Sequence, residues 1–374
     1  MKRLALAAAF LAALTAAPCL AAPDAKPQPK IQIAILLDTS SSMDGLINQT
    51  REQLWKIVNT FATAKRDGQK ARLELALYEY GNDRLSAESK WIRQVSPFTS
   101  NLDKVSEDLF SLKTNGGEEY CGAVIAKATQ QLEWSHNKGD LKLIYIAGNE
   151  PFSQGPVNYR DSVKAAIEQG IVVNTIHAGS ESDGINGHWK DAAVLADGNF
   201  MTIDQNRAVV QIAAPQDAEI AKLGAKLNET YIGYGAEGGE SVARQAAQDK
   251  NAASMSAGSA TARAVSKSSA AYDNSEWDLV DAKKAGKKDV SKMTEAELPP
   301  PMKAMKPAER AAFVEEKSKE RTELQQKIQT LNAEREKFVQ AEMKKHADEG
   351  GKTLDGALLE SARKQASKQA MTME

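Results

Sequence analysis

The chain has 374 residues, a formal net charge of −2, 42% hydrophobic and 26% charged residues, and two cysteines. So mild a charge, spread along the chain, gives no basic stripe for a nucleic-acid backbone and argues against that class of partner. The length exceeds what one hydrophobic core usually holds, so two regions are expected.

Lys2 and Arg3 open the chain, an Ala/Leu-rich apolar run follows from Leu4 to Ala17, and small residues precede Pro23. This is the pattern of a secretory signal peptide over residues 1–21, with the mature protein starting at Ala22 or Pro23 and a periplasmic location expected. The run is shorter than the ~20 apolar residues a spanning helix needs, and no later segment is apolar enough to span. Pro18 before Cys19 argues against a lipid-attachment site. Removing residues 1–21 takes away Lys2 and Arg3 and no acid, moving the formal charge from −2 to −4. Cys121 is then the only cysteine, so no internal disulfide supports the fold.

Residues 31–235 alternate strands with helices. Ile31–Leu37 is a nearly continuous apolar run, the mark of a strand buried on both faces. Residues 44–66 carry Leu46, Ile47, Leu54, Ile57, Val58 and Phe61 at helical spacing. Leu73, Leu75 and Leu77 alternate through a second strand. A helix follows Gly122, with Val124, Ile125, Ala128 and Leu132. Leu141–Ile146 is another buried strand, residues 159–169 a helix, Ile171–Ile176 a strand, Asp191–Ala196 a helix and Asn199–Ile203 a last strand. Such alternation predicts a doubly wound, mostly parallel α/β sheet covered on both faces.

The composition then changes. From Glu240 to Ala271, 18 of 32 residues are Ala or Ser. With no large apolar side chain to anchor it, 236–271 is expected to be a linker or a weakly helical segment. Tyr272, Trp277, Leu279 and Val280 restore bulk. Leu298-Pro299-Pro300-Pro301 is an extended break. A long helix is expected from about Ala308 to His346, with Phe313, Leu324, Ile328, Leu331 and Phe338 as a narrow stripe and Arg335 on its seam. That pattern suits a helical hairpin or a weak coiled coil, through which 272–346 could self-associate. Residues 347–374 are expected to be a mobile tail.

Asp38-Thr39-Ser40-Ser41-Ser42 directly follows the first strand. A loop there can turn one carboxylate and two hydroxyls to one point, a hard-oxygen set suited to Mg²⁺ or Mn²⁺, with Ca²⁺ also compatible, and not to zinc. His136, His177, His188 and His346 have no paired zinc spacing. The plainer reading is that these residues cap the next helix. Against it stands their position at the carboxyl end of the first strand, where open α/β sheets bind ligands.

With IAILLDTSSSM, the following helix and the strand order in view, residues 31–235 resemble the von Willebrand factor type A family. The resemblance implies a metal-ion-dependent adhesion site, with Asp38, Ser40 and Ser42 as ligands and an open metal position for an acidic residue of a partner protein. It implies a protein-binding module, not an enzyme, and a second loop that offers a Thr near a Gly-Gly pair. Here Thr114-Asn115-Gly116-Gly117-Glu118-Glu119 makes Thr114 the first candidate and Glu119 the second. The family's third loop usually reads Thr-Asp-Gly. This chain has Ala147-Gly148-Asn149-Glu150-Pro151, so the usual Asp is absent and Asn149 or Glu150 is left to replace it. A metal-independent envelope scaffold with a degenerate site is the alternative.

The chain also lacks a nucleophile elbow, a phosphate loop, a zinc signature and a dinucleotide fingerprint, which disfavours enzymatic chemistry. Glu118 and Glu119 have no nucleophile or histidine near them in sequence. Cys121, at an expected helix start, is either a reactive thiol or a buried, inert one. Trp91 and Trp189 are expected to pack, and Trp277 either docks the C-terminal region or meets a partner.

Overall fold

A computed structural model describes residues 27–204, 212–345 and 354–373. The expected signal peptide and Cys19 lie outside them. Strand β1 (Lys30–Asp38) runs through the centre and leads into α1 (Asp44–Ala62). A short hairpin, β2 (Lys65–Arg66) and β3 (Gln69–Lys70), precedes β4 (Arg72–Tyr80) and β5 (Ile92–Thr99). Then come α2 (Leu102–Ser111), α3 (Cys121–Gln131), β6 (Leu141–Gly148), α4 (Tyr159–Glu168), β7 (Val172–Ala178), α5 (Glu181–Asn186), α6 (Trp189–Leu195) and β8 (Phe200–Ile203).

The six-stranded sheet has the order β5-β4-β1-β6-β7-β8. All neighbours are parallel except β4 and β5. The antiparallel edge has a simple cause: residues 81–91 join β4 to β5, too few for a helical crossover. The sequence reading had no strand at β5, whose Pro97 and shifting register obscure its alternation.

Period-two alternation divides the core. Ile31, Ile33, Ile35 and Leu37 point to one face, with Leu73, Leu75, Leu77, Leu141 and Leu143, against Leu54, Trp55, Val58 and Phe61 of α1. Ala34, Leu36, Ala76, Tyr78, Ile144 and Ile146 point to the other, against Val124, Ile125 and Ala128 of α3 and Val163 of α4. Both faces are covered, as a parallel sheet requires.

Beyond the sheet the chain is helical: α7 (Asp217–Asn228), α8 (Gly238–Met255), α9 (Ala257–Lys267), α10 (Leu279–Lys284), α11 (Pro307–Lys345) and α12 (Leu354–Lys368). Of the two readings of 236–271, a linker or a weakly helical segment, the structure has helices: α8 packs on α2, and α9 packs on α1 and α7. Small side chains at Ala252 and Ala264 let these helices approach closely, and buried Arg263 adds the bulk that the apolar count missed. Its guanidinium lies 4.2 Å from the Trp55 ring centroid and pairs with Asp103 (2.7 Å) and Asp249 (2.9 Å). Residues 354–373 of the expected tail are not free, and 347–353 and Glu374 lie outside the described residues. Helix α12 packs on α1 and β8. Gln365 donates to Asn174 of β7 at 2.6 Å, and the backbones of Thr372 and Lys65 exchange two hydrogen bonds.

The long helix is present as α11. Its apolar stripe is used within the chain: Val314, Leu324 and Ile328 are buried, and α11 lies along α7, α9 and α10. Trp277 docks inward, stacked 5.8 Å from Tyr231. Among the described residues no helix is long and apolar enough to cross a membrane.

Candidate metal centre

β1 ends on Asp38, wholly buried between β4 and β6. The chain then turns sharply, because Thr39 is tied inward. The Thr39 N–H donates to the Tyr80 carbonyl at 2.8 Å, and the Asn82 amide donates to Thr39 Oγ1 at 3.2 Å and to the Lys113 carbonyl at 2.8 Å. This lashing binds the first loop to the end of β4 and to the second loop. Asp38 Oδ1 accepts from the Ser40 N–H at 2.8 Å, and the Ser40 and Ser42 hydroxyls lie 3.3 Å apart. A 3₁₀ turn over Ser41–Met43 then enters α1.

The capping explanation fails on geometry. Neither Ser40, before the 3₁₀ turn, nor Met43, before α1, makes a side-chain cap hydrogen bond. The serine hydroxyls gather beside Asp38 instead. Asp38 Oδ2 is buried and has no hydrogen-bond partner, and Asn149 Oδ1 is in the same condition. Orphaned buried acceptors are costly and call for an explanation. Burial pushes the Asp38 carboxyl up to about 7, with Glu119 and Glu150 adding negative charge, while hydrogen bonds from Ser40 pull the other way.

In the second loop the two candidates, Thr114 and Glu119, have different partners. Thr114 Oγ1 donates to Asp44 Oδ1 at 2.5 Å, at the start of α1, while the next residue, Asn115, donates its N–H to the Thr39 carbonyl at 2.9 Å. Glu119 is buried and meets the Ser40 hydroxyl. Burial raises its carboxyl above the usual range, with Glu150 adding to the effect and Ser40 opposing it. In the third loop, Asn149 donates its amide to Ser42 Oγ at 3.3 Å, and half-buried Glu150 acts on both carboxylates. The structure therefore gathers Asp38, Ser40, Ser42, Glu119, Asn149 and Glu150, and engages the Thr114 hydroxyl with Asp44.

Two glycines make this packing feasible. Gly81 has φ +76°, and a Cβ there would stand 2.8 Å from Glu119 Cγ and 2.9 Å from Asp38 Oδ1. A Cβ on Gly148 would stand 2.6 Å from the Tyr80 hydroxyl and 3.0 Å from Asp38 Oδ2. Sequence reading passed over Gly81, Asn82 and Tyr80. The signal was the Gly-Asn pair closing the alternating strand β4.

The donor set suits a hard divalent cation: carboxylates, hydroxyls and an amide oxygen, two of them buried acceptors without partners. Among the described residues no three His, Cys, Asp or Glu side chains form a metal-binding group of their own, so hydroxyl and amide oxygens have to complete any site. Cys121 is buried beside the Tyr80 hydroxyl, 3.7 Å away, and burial drives its thiol far above the usual range. It is inert. Trp189 is buried in the core, its indole N–H on the Glu150 carbonyl at 2.9 Å, and Trp91 packs edge-on against Tyr120.

Residues 32–205 match the family model of the von Willebrand factor type A domain. Similar solved structures include proximal thread matrix protein 1 from the mussel byssus, in a form described as having a zinc-occupied MIDAS motif. It is 14% identical with a TM-score of 0.38, over 48% of this chain and 43% of that one. BatB from Bacteroides thetaiotaomicron is 16% identical with a TM-score of 0.36, over 46% of this chain and 90% of that one. The SpRpn10 VWA domain is 17% identical with a TM-score of 0.36, over 49% of this chain and all of that one. The chain thus spans about two fifths of the mussel protein. None of the curated proteins matches the chain.

Proposed function

Residues 32–205 belong to the von Willebrand factor type A family, and on that premise we propose that the chain is an exported, non-enzymatic protein-binding module of the periplasm whose contact with its partner runs through a divalent cation. The observation that carries this reading is Asp38 Oδ2, an acceptor buried without a hydrogen-bond partner beside two serine hydroxyls that cap no helix. Such a carboxylate is destabilised as it stands and relieved by a cation.

The residues divide the work. Asp38 supplies the charge, from a position fixed by the Ser40 N–H. Ser40 and Ser42 add neutral oxygens, and Asn149 holds Ser42 from the third loop. Mg²⁺ or Mn²⁺ fits this set best, and Ca²⁺ is compatible with it. Bound there, the cation supplies an electrophilic position suited to an acidic side chain of a partner protein. The site lies at the carboxyl edge of β1 and β6, where a doubly wound sheet presents its ligand surface.

A metal-independent scaffold is the second reading, and Gly148 favours it, because the Asp usual at that position is missing. Partner capture from an envelope extract separates the two. Wild type should capture its partner in Mg²⁺ and lose it in chelator, and Asp38→Ala should capture none. Equal capture in all three leaves the scaffold standing. Turnover of generic hydrolase substrates would overturn the non-enzymatic assignment.

A further inference from the structure

We infer that Glu119, and not Thr114, is the second-loop ligand of this cation site, so that the chain itself directs two side-chain carboxylates, Asp38 and Glu119, at the cation. The inference rests on the metal-site reading above and deepens it.

Three observations on different elements converge on Glu119. The first is position. Glu119 Cγ and Asp38 Oδ1 each lie within 3 Å of the one point where Gly81 would carry a Cβ, so the missing side chain of Gly81 is what lets the two acids stand side by side. The second is that the second loop is pressed onto the end of β4 and fixed there. A Cβ on Gly117 would meet the Gly81 carbonyl oxygen at 2.6 Å, and the Gly116 carbonyl accepts from the Asp83 N–H. Turned to the amide orientation that its neighbours favour, Gln154 would donate to the Glu119 side chain at 3.3 Å and to its carbonyl at 3.0 Å. A carboxylate held by its neighbours before any ligand arrives is preorganised. The third is Thr114 itself, whose hydroxyl is committed to Asp44, 70 residues away in sequence.

The choice of ligand changes what the site does. A hydroxyl leaves the cation's charge for the partner to balance. A second carboxylate balances it within the chain, since charge count sets cation affinity in oxygen-ligated sites. The chain then retains its cation before a partner arrives. A partner competes less on charge and more on shape.

Mn²⁺ titration of the full mature chain, with free Mn²⁺ read by electron paramagnetic resonance, tests this. Glu119→Gln keeps the shape and removes the charge, and should weaken Mn²⁺ binding by at least about tenfold, whereas Thr114→Ala should stay within about twofold of wild type. Glu119→Asp keeps the charge and withdraws it by one methylene. Weaker binding there supports the inference even if the amide variant misfolds. Wild-type affinity in Glu119→Gln or Glu119→Asp overturns it, and so does a loss in Thr114→Ala as large as in Glu119→Gln. Asp38→Ala serves as the control. If wild type binds no Mn²⁺, the metal-site reading falls together with this one. If Asp38→Ala abolishes binding and Glu119→Gln does not, only this inference falls.

Discussion

Gly148 sets this site apart from the family pattern, and the reason is steric. The space an Asp would use is filled by the Tyr80 hydroxyl, which donates to the Ala147 carbonyl at 3.0 Å, and by Asp38 Oδ2. Restoring a side chain is therefore not a repair. Gly148→Ala should destabilise the fold by about 1–3 kcal/mol through overpacking, read as a lower urea midpoint with an unchanged slope. An unchanged midpoint would mean that Tyr80 yields freely and that the missing Asp has no steric cause. At this scale the first loop was legible, because Asp38, Ser40 and Ser42 are consecutive alternate residues after an apolar run. The second loop was not. What decides between Thr114 and Glu119 is Asp44 and Gly81, residues far away in sequence whose contacts no local pattern encodes.

At the scale of elements, buried charges tie the helices beyond the sheet to one another. Arg321 of α11 lies 3.9 Å from the Tyr231 ring centroid, pairs with Asp278 at 2.6 Å and Asp281 at 2.9 Å, and donates to the Thr230 carbonyl at 2.6 Å. Asp278 is wholly buried. Arg321→Met leaves that carboxylate without its cation and should cost about 3–5 kcal/mol of unfolding free energy in urea. A cost below 1 kcal/mol would show that α11 is held by its apolar stripe alone.

Lys267 of α9 is the second case. Burial lowers its ammonium from 10.5 to about 8, with Asp249 at 2.6 Å partly opposing the shift. Between those two values the unfolded chain binds the proton and the folded chain does not, so stability rises with pH across that window. Wild type should gain stability relative to Lys267→Met from pH 8 to 10. A constant difference would mean that the Asp249 pair outweighs burial and keeps Lys267 charged. These elements explain why α8 and α9 were hidden in the sequence. Long apolar runs announced β1, β6 and β7, and alternation announced β4. Helices packed through Ala252, Ala264 and a buried Arg263 carry no such run, and an arginine in the sequence looks like a solvent-facing residue.

Across the whole molecule, the chain leaves the sheet after β8, builds its helices, and returns. α12 closes the circuit: Gln365 and Ser361 meet Asn174 and Asn199 beside β7 and β8, and Thr372 pairs with Lys65 beyond α1. A sequence pattern shows neighbours and periods, so a contact between residues 174 and 365 had no local trace. The fold class and the central strands were readable, and the wrapping was not. One consequence concerns proteolysis. Residues 238–267, within the stretch 236–271 expected to be a linker or a weakly helical segment, should resist limited trypsin digestion for as long as the sheet strands do, with fragments sized by mass spectrometry. Early cutting at Arg244 or Lys250 would contradict the packed arrangement.

The proposal of one hard-cation site at the carboxyl edge of β1 is tested most directly by calorimetric titration of Mn²⁺ into the full chain. Wild type should take up one equivalent. Asp38→Ala should take up none while its circular dichroism stays that of the wild type, because Asp38 ends a strand and packs no apolar core. Ser40→Ala should bind more weakly than wild type yet measurably, since it removes a neutral oxygen. Uptake by Asp38→Ala equal to that of wild type, or no uptake by wild type, would contradict the account.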